Sequence, residues 1–365
     1  MKIHLLPTLL LLFLASTLRA QDPAVLELVR EAIPLMDDGQ YEESRAKLEA
    51  ARKLDPKNYL VAYEYGYSYY LEEDYATSAK YFKKAAKLPD ANYQAILQLA
   101  NAYDYVGKPK KAMKTYLQGK EAFPDLAQFD VELGIMAFRQ ENYDEAVNHW
   151  ENGIRTDPNY PSNYYHLAAL LATTDKHLWT VFYAEQFINL ERNSERTVTM
   201  SKLLLETLNK VVDFEGDSLK VNFIRNHVMS IDPSNISTKD GEPKLDFKLP
   251  GTLIYGLDQS LAVVNLMGDK EINSDNFHVW RAAFLDVWQE EHRQTYPNAL
   301  HEWLYTIREA GHLEAYNHWL LSAGDEVGFE MWMSNNPSLW EAFVEWFNEN
   351  MLEYERGEAT IRPKL

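Results

Sequence analysis

A repeat of 34 residues constrains this chain more than any other feature. Three turn-like stretches set the register: "DDGQY" ends at Tyr41, "EEDY" at Tyr75 and "QENY" at Tyr143. Tyr75 follows Tyr41 by one period and Tyr143 follows Tyr75 by two, with Pro109 of "VGKP" filling the place between. Pro56, Pro124 and Pro158 close successive units, and Asp90 takes the remaining slot. Segments 25–58, 59–92, 93–126 and 127–160 therefore align without a gap. The second carries Ala62, Tyr65, Gly66 and Tyr69, then Ser78 and Phe82. The third carries Ile96, Leu99, Ala100 and Tyr103, then Ala112 and Tyr116. The fourth carries Leu133, Gly134 and Ala137, then Ala146 and Trp150. Small residues let two helices approach closely, and the large residue four places on fills the gap to the next unit. One such unit cannot bury its apolar face alone, so several must stack.

These residues and this period resemble the tetratricopeptide repeat, a helix–turn–helix unit of that length. The first segment is looser: Ala32, Leu35, Ser44, Leu48 and Pro56 fit, but Glu31 stands where Leu is usual. A divergent fifth unit over 161–194 keeps Tyr164, Leu167, Ala168 and Leu171. Its second helix fits only when moved by four residues, which makes Ala184 the small residue and Ile188 the large one. The expected fold is all-α: a solenoid over 21–194, then a helical domain over 195–365. Asp22 and Pro23 suit an N-cap and first helical position, and Pro34 is expected to kink the first helix.

The resemblance implies that the first helix of each unit lines a concave face where a protein or peptide lies. Carried over slot by slot, the lining is Leu60, Tyr63, Tyr67 and Tyr70 in the second unit, Gln94, Leu97, Asn101 and Asp104 in the third, and Gln128, Val131, Ile135 and Phe138 in the fourth. Some relatives clamp a terminal carboxylate with Lys, Arg and Asn in these slots. Here Asn101 lacks its Lys and Arg companions, so that mode does not carry over. The tyrosine-rich second unit suits an apolar or amphipathic segment, or else packs against the chain's own C-terminal half.

Outside the repeats, "MKIHLLPTLLLLFLASTLRA" (1–20) has Lys2, an apolar run from Leu9 to Leu14 and a small Ala20, the pattern of a secretory signal. It points to an exported, periplasmic or secreted protein with no membrane segment after cleavage. There are no cysteines, which excludes disulfides and thiolate chemistry. A formal net charge of −19 repels phosphate backbones and argues against nucleic acid as a partner.

Beyond residue 195 the period fades. "RTVTMSKLLLETLNKVV" has helical spacing, and "SLKVNFIRNHVM" reads as a further helix. A polar stretch with three prolines reads as a long loop over 231–250, with a short extended piece at "KLDFKL". Helices resume near 251 and are expected around 300–308, 312–321 and 337–355, with no strand-rich block. His278, His292, His301, His312 and His318 cluster, and Glu314–His318 has i,i+4 spacing, as does Glu145–His149. "HEWLY" has Tyr305 where a zinc-binding helix needs its second His, so metal ligation or hydrolysis is the minor reading and no metal or cofactor is expected. Seven of the nine tryptophans lie between Trp280 and Trp346, where core packing outweighs a glycan- or protein-binding surface. No phosphate loop or nucleophile elbow is present, so catalytic residues are expected to be none. The sequence carries no signature of oligomeric state.

Overall fold

The computed structural model describes residues 22–215, 218–221, 236–239, 242–245, 251–262, 266, 269–359 and 361–362. The expected signal segment 1–20 and most of the expected loop 231–250 lie outside these. The chain divides into two compact units, one through Gly119 and one from Lys120 onward.

In the first unit the repeats form helix pairs: α1 (Pro23–Asp37) with α2 (Tyr41–Leu54), α3 (Tyr59–Leu71) with α4 (Tyr75–Ala85), then α5 (Tyr93–Tyr105), with α6 (Pro109–Ala122) completing the third pair. Asp22 caps α1 by accepting from the Ala24 N–H, and Pro23 occupies its first turn. Pro34 lies inside α1, which runs on to Asp37. The backbone repeats as strictly as the sequence. Gly39, Glu73, Gly107 and Glu141 stand one period apart, and all four take positive φ between 61° and 75° at the turn inside their unit. This left-handed conformation reverses the chain in the shortest space. Glycine adopts it freely, and Glu73 and Glu141 adopt it at a cost.

The small-and-large rule is visible at the helix crossing. A Cβ on Gly66 would stand 2.7 Å from Cδ1 of Phe82, and one on Gly134 would overlap the Trp150 indole. Phe82 and Trp150 are buried as a result. Ser78 adds a hydrogen bond of 2.8 Å to the Gly66 carbonyl, tying the two helices at that crossing.

The second unit begins with repeat pairs α7 (Gln128–Arg139) and α8 (Tyr143–Thr156), α9 (Ser162–Leu171) and α10 (His177–Leu190). Ala184 and Ile188 of α10 are buried. Next come α11 (Glu195–Val211), α12 (Gly251–Ala262), α13 (Ser274–Val287) with a π-helical turn at Trp288–His292, α14 (Ala299–Glu309), α15 (Leu313–Leu321), α16 (Glu326–Asn335) and α17 (Pro337–Glu349). Helix α10 is buried on nearly every side, because α9, α11 and the later helices pack around it. The last repeat therefore shares one core with the C-terminal helices.

Three expectations change. Ser218–Val221, read as the start of a helix, is strand β2 and pairs antiparallel with β1 (Val212–Glu215). The alternation of apolar and polar residues in "SLKV" suits a strand of that length better than a helical turn. A second hairpin pairs β3 (Ile236–Lys239) with β4 (Glu242–Leu245) inside the stretch read as loop. Helix α17 stops at Glu349, short of the expected 355. Asn350 is extended, and its backbone and side-chain N–H groups both bond to the Trp346 carbonyl. The chain then continues as an extended strap.

Candidate binding cleft

The expected lining residues do not form one uniform surface. In the first unit, Tyr63, Tyr67 and Tyr70 stack along α3 with ring centroids 6.3 Å apart at each step and planes within about 10°. They lie half-buried against Phe82 and Leu99. Burial pushes the Tyr63 phenol well above its usual value and Tyr59 up to about 12. Tyr105, on α5, stacks on Tyr75 at 4.6 Å and stays 57% exposed. Leu60 and Leu97 are half-buried. Asn101 accepts a short hydrogen bond from the Tyr116 hydroxyl and donates to Gln98. Asp104 is half-buried at the C-terminal end of α5.

In the second unit, Val131 is buried and lines no open surface. Its backbone carbonyl accepts from the Trp150 indole at 3.2 Å. Ile135 and Phe138 do face open space. They line a cleft of about 830 Å³ between α7, α8 and α9, with Tyr143, Val147, Trp150, His166 and Leu170 as further walls. Its lining is mainly apolar. Phe138 and Tyr143 are 45% and 49% exposed and lie 5.6 Å apart. Trp150 stacks on His166 at 5.1 Å, and burial, with the Arg196 charge, pushes that imidazole down to about 4. The floor is thus neutral aromatic surface at physiological pH. Arg139, Lys176 and Arg362 bring positive charge to the cleft, and Asp144 brings one negative.

The lining slots carried over are first-helix positions of the second to fourth units, so they omit Tyr143 and Val147 on the second helix α8 and His166 and Leu170 on α9 of the fifth unit. Tyr143 reads as a packing slot from its register. It instead opens α8 beside the turn at Glu141, with its ring 49% exposed. An exposed ring beside a positive-φ turn was the available signal.

The other candidate features resolve into packing and ion pairs. Glu145 and His149 stand 3.8 Å apart, with Glu145 largely exposed. Burial, ahead of the Asp130 charge that opposes it, pushes His149 below its usual value. Glu314 accepts from the Trp332 indole at 2.8 Å, and His318 stacks on that same indole at 4.4 Å. His301 sits among Phe182, Tyr255, Phe284 and Trp288. His312 packs on Trp346 and Phe343, and His292 pairs with buried Asp258 at 3.0 Å. Among the described residues no three His, Asp or Glu side chains converge to hold a metal ion. Trp280, Trp288 and Trp332 are core residues, while Trp303, Trp319, Trp340 and Trp346 are half-buried. Among the described residues no helix is long and apolar enough to cross a membrane.

Comparison with known proteins agrees with the repeat geometry. The family model for the tetratricopeptide repeat matches residues 29–93 and 97–163. The cytochrome c-type biogenesis protein CycH of Pseudomonas aeruginosa is 31% identical over 121 residues, which are 32% of this chain and 30% of that protein. Hsp70-Hsp90 organizing protein 1 of Glycine max is 25% identical over 118 residues, 32% of this chain and 21% of that protein. The chain thus covers less than a third of the length of either relative. Among solved structures, Pseudomonas aeruginosa PilF aligns with a TM-score of 0.43 at 16% identity, over 51% of this chain and 85% of that one. MamA of Desulfovibrio magneticus aligns with a TM-score of 0.38 at 18% identity, over 48% and 99%. The turns at 34-residue spacing, the small-and-large crossings and the family match together identify residues 29–163 of this chain as tetratricopeptide repeats.

Proposed function

We propose that this chain is a non-enzymatic protein-interaction scaffold that holds an apolar or amphipathic protein segment in the cleft between α7, α8 and α9. The observation that carries this reading is the cleft itself. It is about 830 Å³ in volume, mainly apolar, and edged by the exposed rings of Phe138 and Tyr143. A concave apolar surface with aromatic rims is where binding energy concentrates. The repeat scaffold supports the same reading, since stacked repeats present such surfaces to partners.

The test is a peptide display library panned against the chain and against a Phe138→Ala, Tyr143→Ala double variant. Both residues are exposed, so each substitution should change stability by no more than about 0.5 kcal/mol. Amphipathic peptides that bind the parent should bind the double variant at least about tenfold more weakly, as loss of one hot spot costs over 1 kcal/mol. Equal enrichment on both proteins would rule out the cleft.

The tyrosine ladder of α3 offers a second surface, favoured by the 57% exposed Tyr105 ring at its end. Weakened partner binding in Tyr105→Ala, with the Phe138 and Tyr143 variant unaffected, would select it. Export is part of the same proposal and rests on Lys2, the run Leu9–Leu14 and Ala20. Intact mass of the protein recovered from its own cell should match a chain beginning at Gln21. A mass that retains residues 1–20 would contradict export by cleavage.

A further inference from the structure

Behind Arg362, which lines the cleft, lies a buried carboxylate. Glu151, on α8, is 1% exposed and faces the interior of the second unit. Its neighbours are the Tyr183 hydroxyl of α10 at 3.4 Å, Arg155 of its own helix at 3.8 Å and Arg362 at 3.0 Å. A buried carboxylate needs a hydrogen-bonded cation to be tolerated. Arg362 is the nearer of its two arginines, and it comes from outside the repeats. The backbone N–H of Arg362 also donates to the Tyr183 hydroxyl at 3.0 Å. One residue is thus recognised through both its backbone and its guanidinium, in the manner of a bound peptide.

The strap that delivers Arg362 has three parts of different character. Its root is fixed. Leu352 and Tyr354 are buried, Asn159 exchanges two hydrogen bonds of 2.9 Å with the Tyr354 backbone, and Arg192 donates to the Phe347 and Asn350 carbonyls. Next comes an exposed turn over residues 355–358, closed by the Glu358 N–H on the Glu355 carbonyl, with Gly357 at φ +95°. Last comes a hook, in which Ile361 packs partly against the core and Arg362 reaches Glu151. The ion pair of Arg356 with Asp125 on the turn is exposed at both ends and holds it weakly. The hook can therefore leave while the root stays in place.

We propose that the buried Glu151–Tyr183 pair, reached from the cleft where Arg362 now stands, is a guanidinium-binding subsite for an extended protein segment carrying an apolar residue followed by Arg, and that the chain's own Ile361–Arg362 occupies it as a tethered competitor. This rests on the cleft being a binding site and adds the identity of the anchoring residue. Tethering gives the hook a high effective concentration, so a short segment in trans competes poorly until the hook is removed. Partner segments that also fill the apolar cleft gain the contacts the hook lacks and displace it.

The experiment uses a fluorescein-labelled hexapeptide of residues 357–362 (Gly-Glu-Ala-Thr-Ile-Arg, amidated), followed by anisotropy into the millimolar range. It is titrated into the full chain, a chain shortened to Glu358, and the shortened chain with Glu151→Gln. The expected result is saturable binding to the shortened chain, at least tenfold tighter than to the full chain. Glu151→Gln, or a peptide with Arg362→Gln, should remove that binding. Comparable binding to the full and shortened chains, no binding to a shortened chain that keeps its helical circular dichroism, or equal binding of the Gln peptide would each overturn the proposal. Should the shortened chain lose its helical signal, the full chain with Arg362→Gln takes its place, with the same outcomes deciding. A cleft that binds amphipathic peptides but ignores the Arg peptide sinks only the subsite. Loss of both sinks the cleft.

Discussion

The same repeat is built twice with different interiors, and the contrast shows which part of the pattern is structural and which is available for use. In the first unit Gly66 meets Phe82 and in the second Gly134 meets Trp150, two periods apart, so the crossings obey one rule. Around these crossings the units diverge. The first fills its surface with stacked tyrosines on α3. The second leaves an open cleft beside Trp150 and places charges in its core. Arg281 and Glu185 form a double hydrogen bond at 2.7 and 2.9 Å, both nearly fully buried. Tyr316 donates to Glu185, Asn189 to Tyr316, and Trp303 to Asn189. This network joins α10 of the last repeat to α13, α14 and α15. A buried network of this kind requires each partner in place. It gives the last repeat a fixed seat among the C-terminal helices, whereas the first unit carries single interior hydrogen bonds such as Ser78 to Gly66 and Tyr116 to Asn101.

The largest expected effect breaks that network. Arg281→Met leaves Glu185 buried without its cation and should destabilise the second unit by about 3–5 kcal/mol, read as a lower urea midpoint for its transition. The first-unit transition should not move. Next, Gly134→Ala and Gly66→Ala test whether the crossings are equivalent. Each adds a methyl against an aromatic ring and should cost about 1–3 kcal/mol by overpacking, with Gly134 the worse because the indole has less room to give. Equal costs, or none, would show that the helices slide apart freely.

Acid should separate the units by sign. Burial, with the Asp37 charge beside it, raises Glu64 of α3 to about 7. At this group the folded chain binds a proton more readily than the unfolded one, so Glu64 contributes stability as pH falls from 7 towards 4.5, above the range where Glu49 and Asp74, lowered by their hydrogen bonds to Arg52 and Thr77, act in the opposite sense. In the second unit burial lowers His149, His166, His278, His301, His312 and His318, with His166 at about 4. There the unfolded chain binds protons first, and stability falls as pH drops below about 6.5. Asp130 and Asp258, raised by burial, oppose this, but the histidines outnumber them. Amide protection factors, corrected for the intrinsic pH dependence of exchange, should rise in α3 and fall in α10 between pH 7 and 5. The smallest effect is at the turns. Glu73→Gly and Glu141→Gly should each stabilise by up to about 1 kcal/mol, because both glutamates are held at positive φ.

Much of the repeat architecture was legible in the sequence, because a period of 34 fixes where small, large and turn residues must recur. The tetratricopeptide assignment and the all-α fold follow from residues such as Gly66, Phe82, Gly134 and Trp150. The cleft was half legible. Ile135 and Phe138 fall in lining slots, but Val131 is buried, and Tyr143, at the start of α8 beside the Glu141 turn, is exposed. No periodic pattern encodes those two facts. Arg362 reaching Glu151 is a contact across 211 residues and leaves no local trace in either stretch.

The most direct test of the account is a benzoylphenylalanine crosslinker placed at position 143 in the cleft and, separately, at position 105 on the tyrosine ladder. The protein carrying it is irradiated with an amphipathic peptide selected on the parent chain. The account predicts an adduct at 143, competed by unlabelled peptide, and none at 105. An adduct at 105 with none at 143 would contradict it and move the binding surface to the first unit.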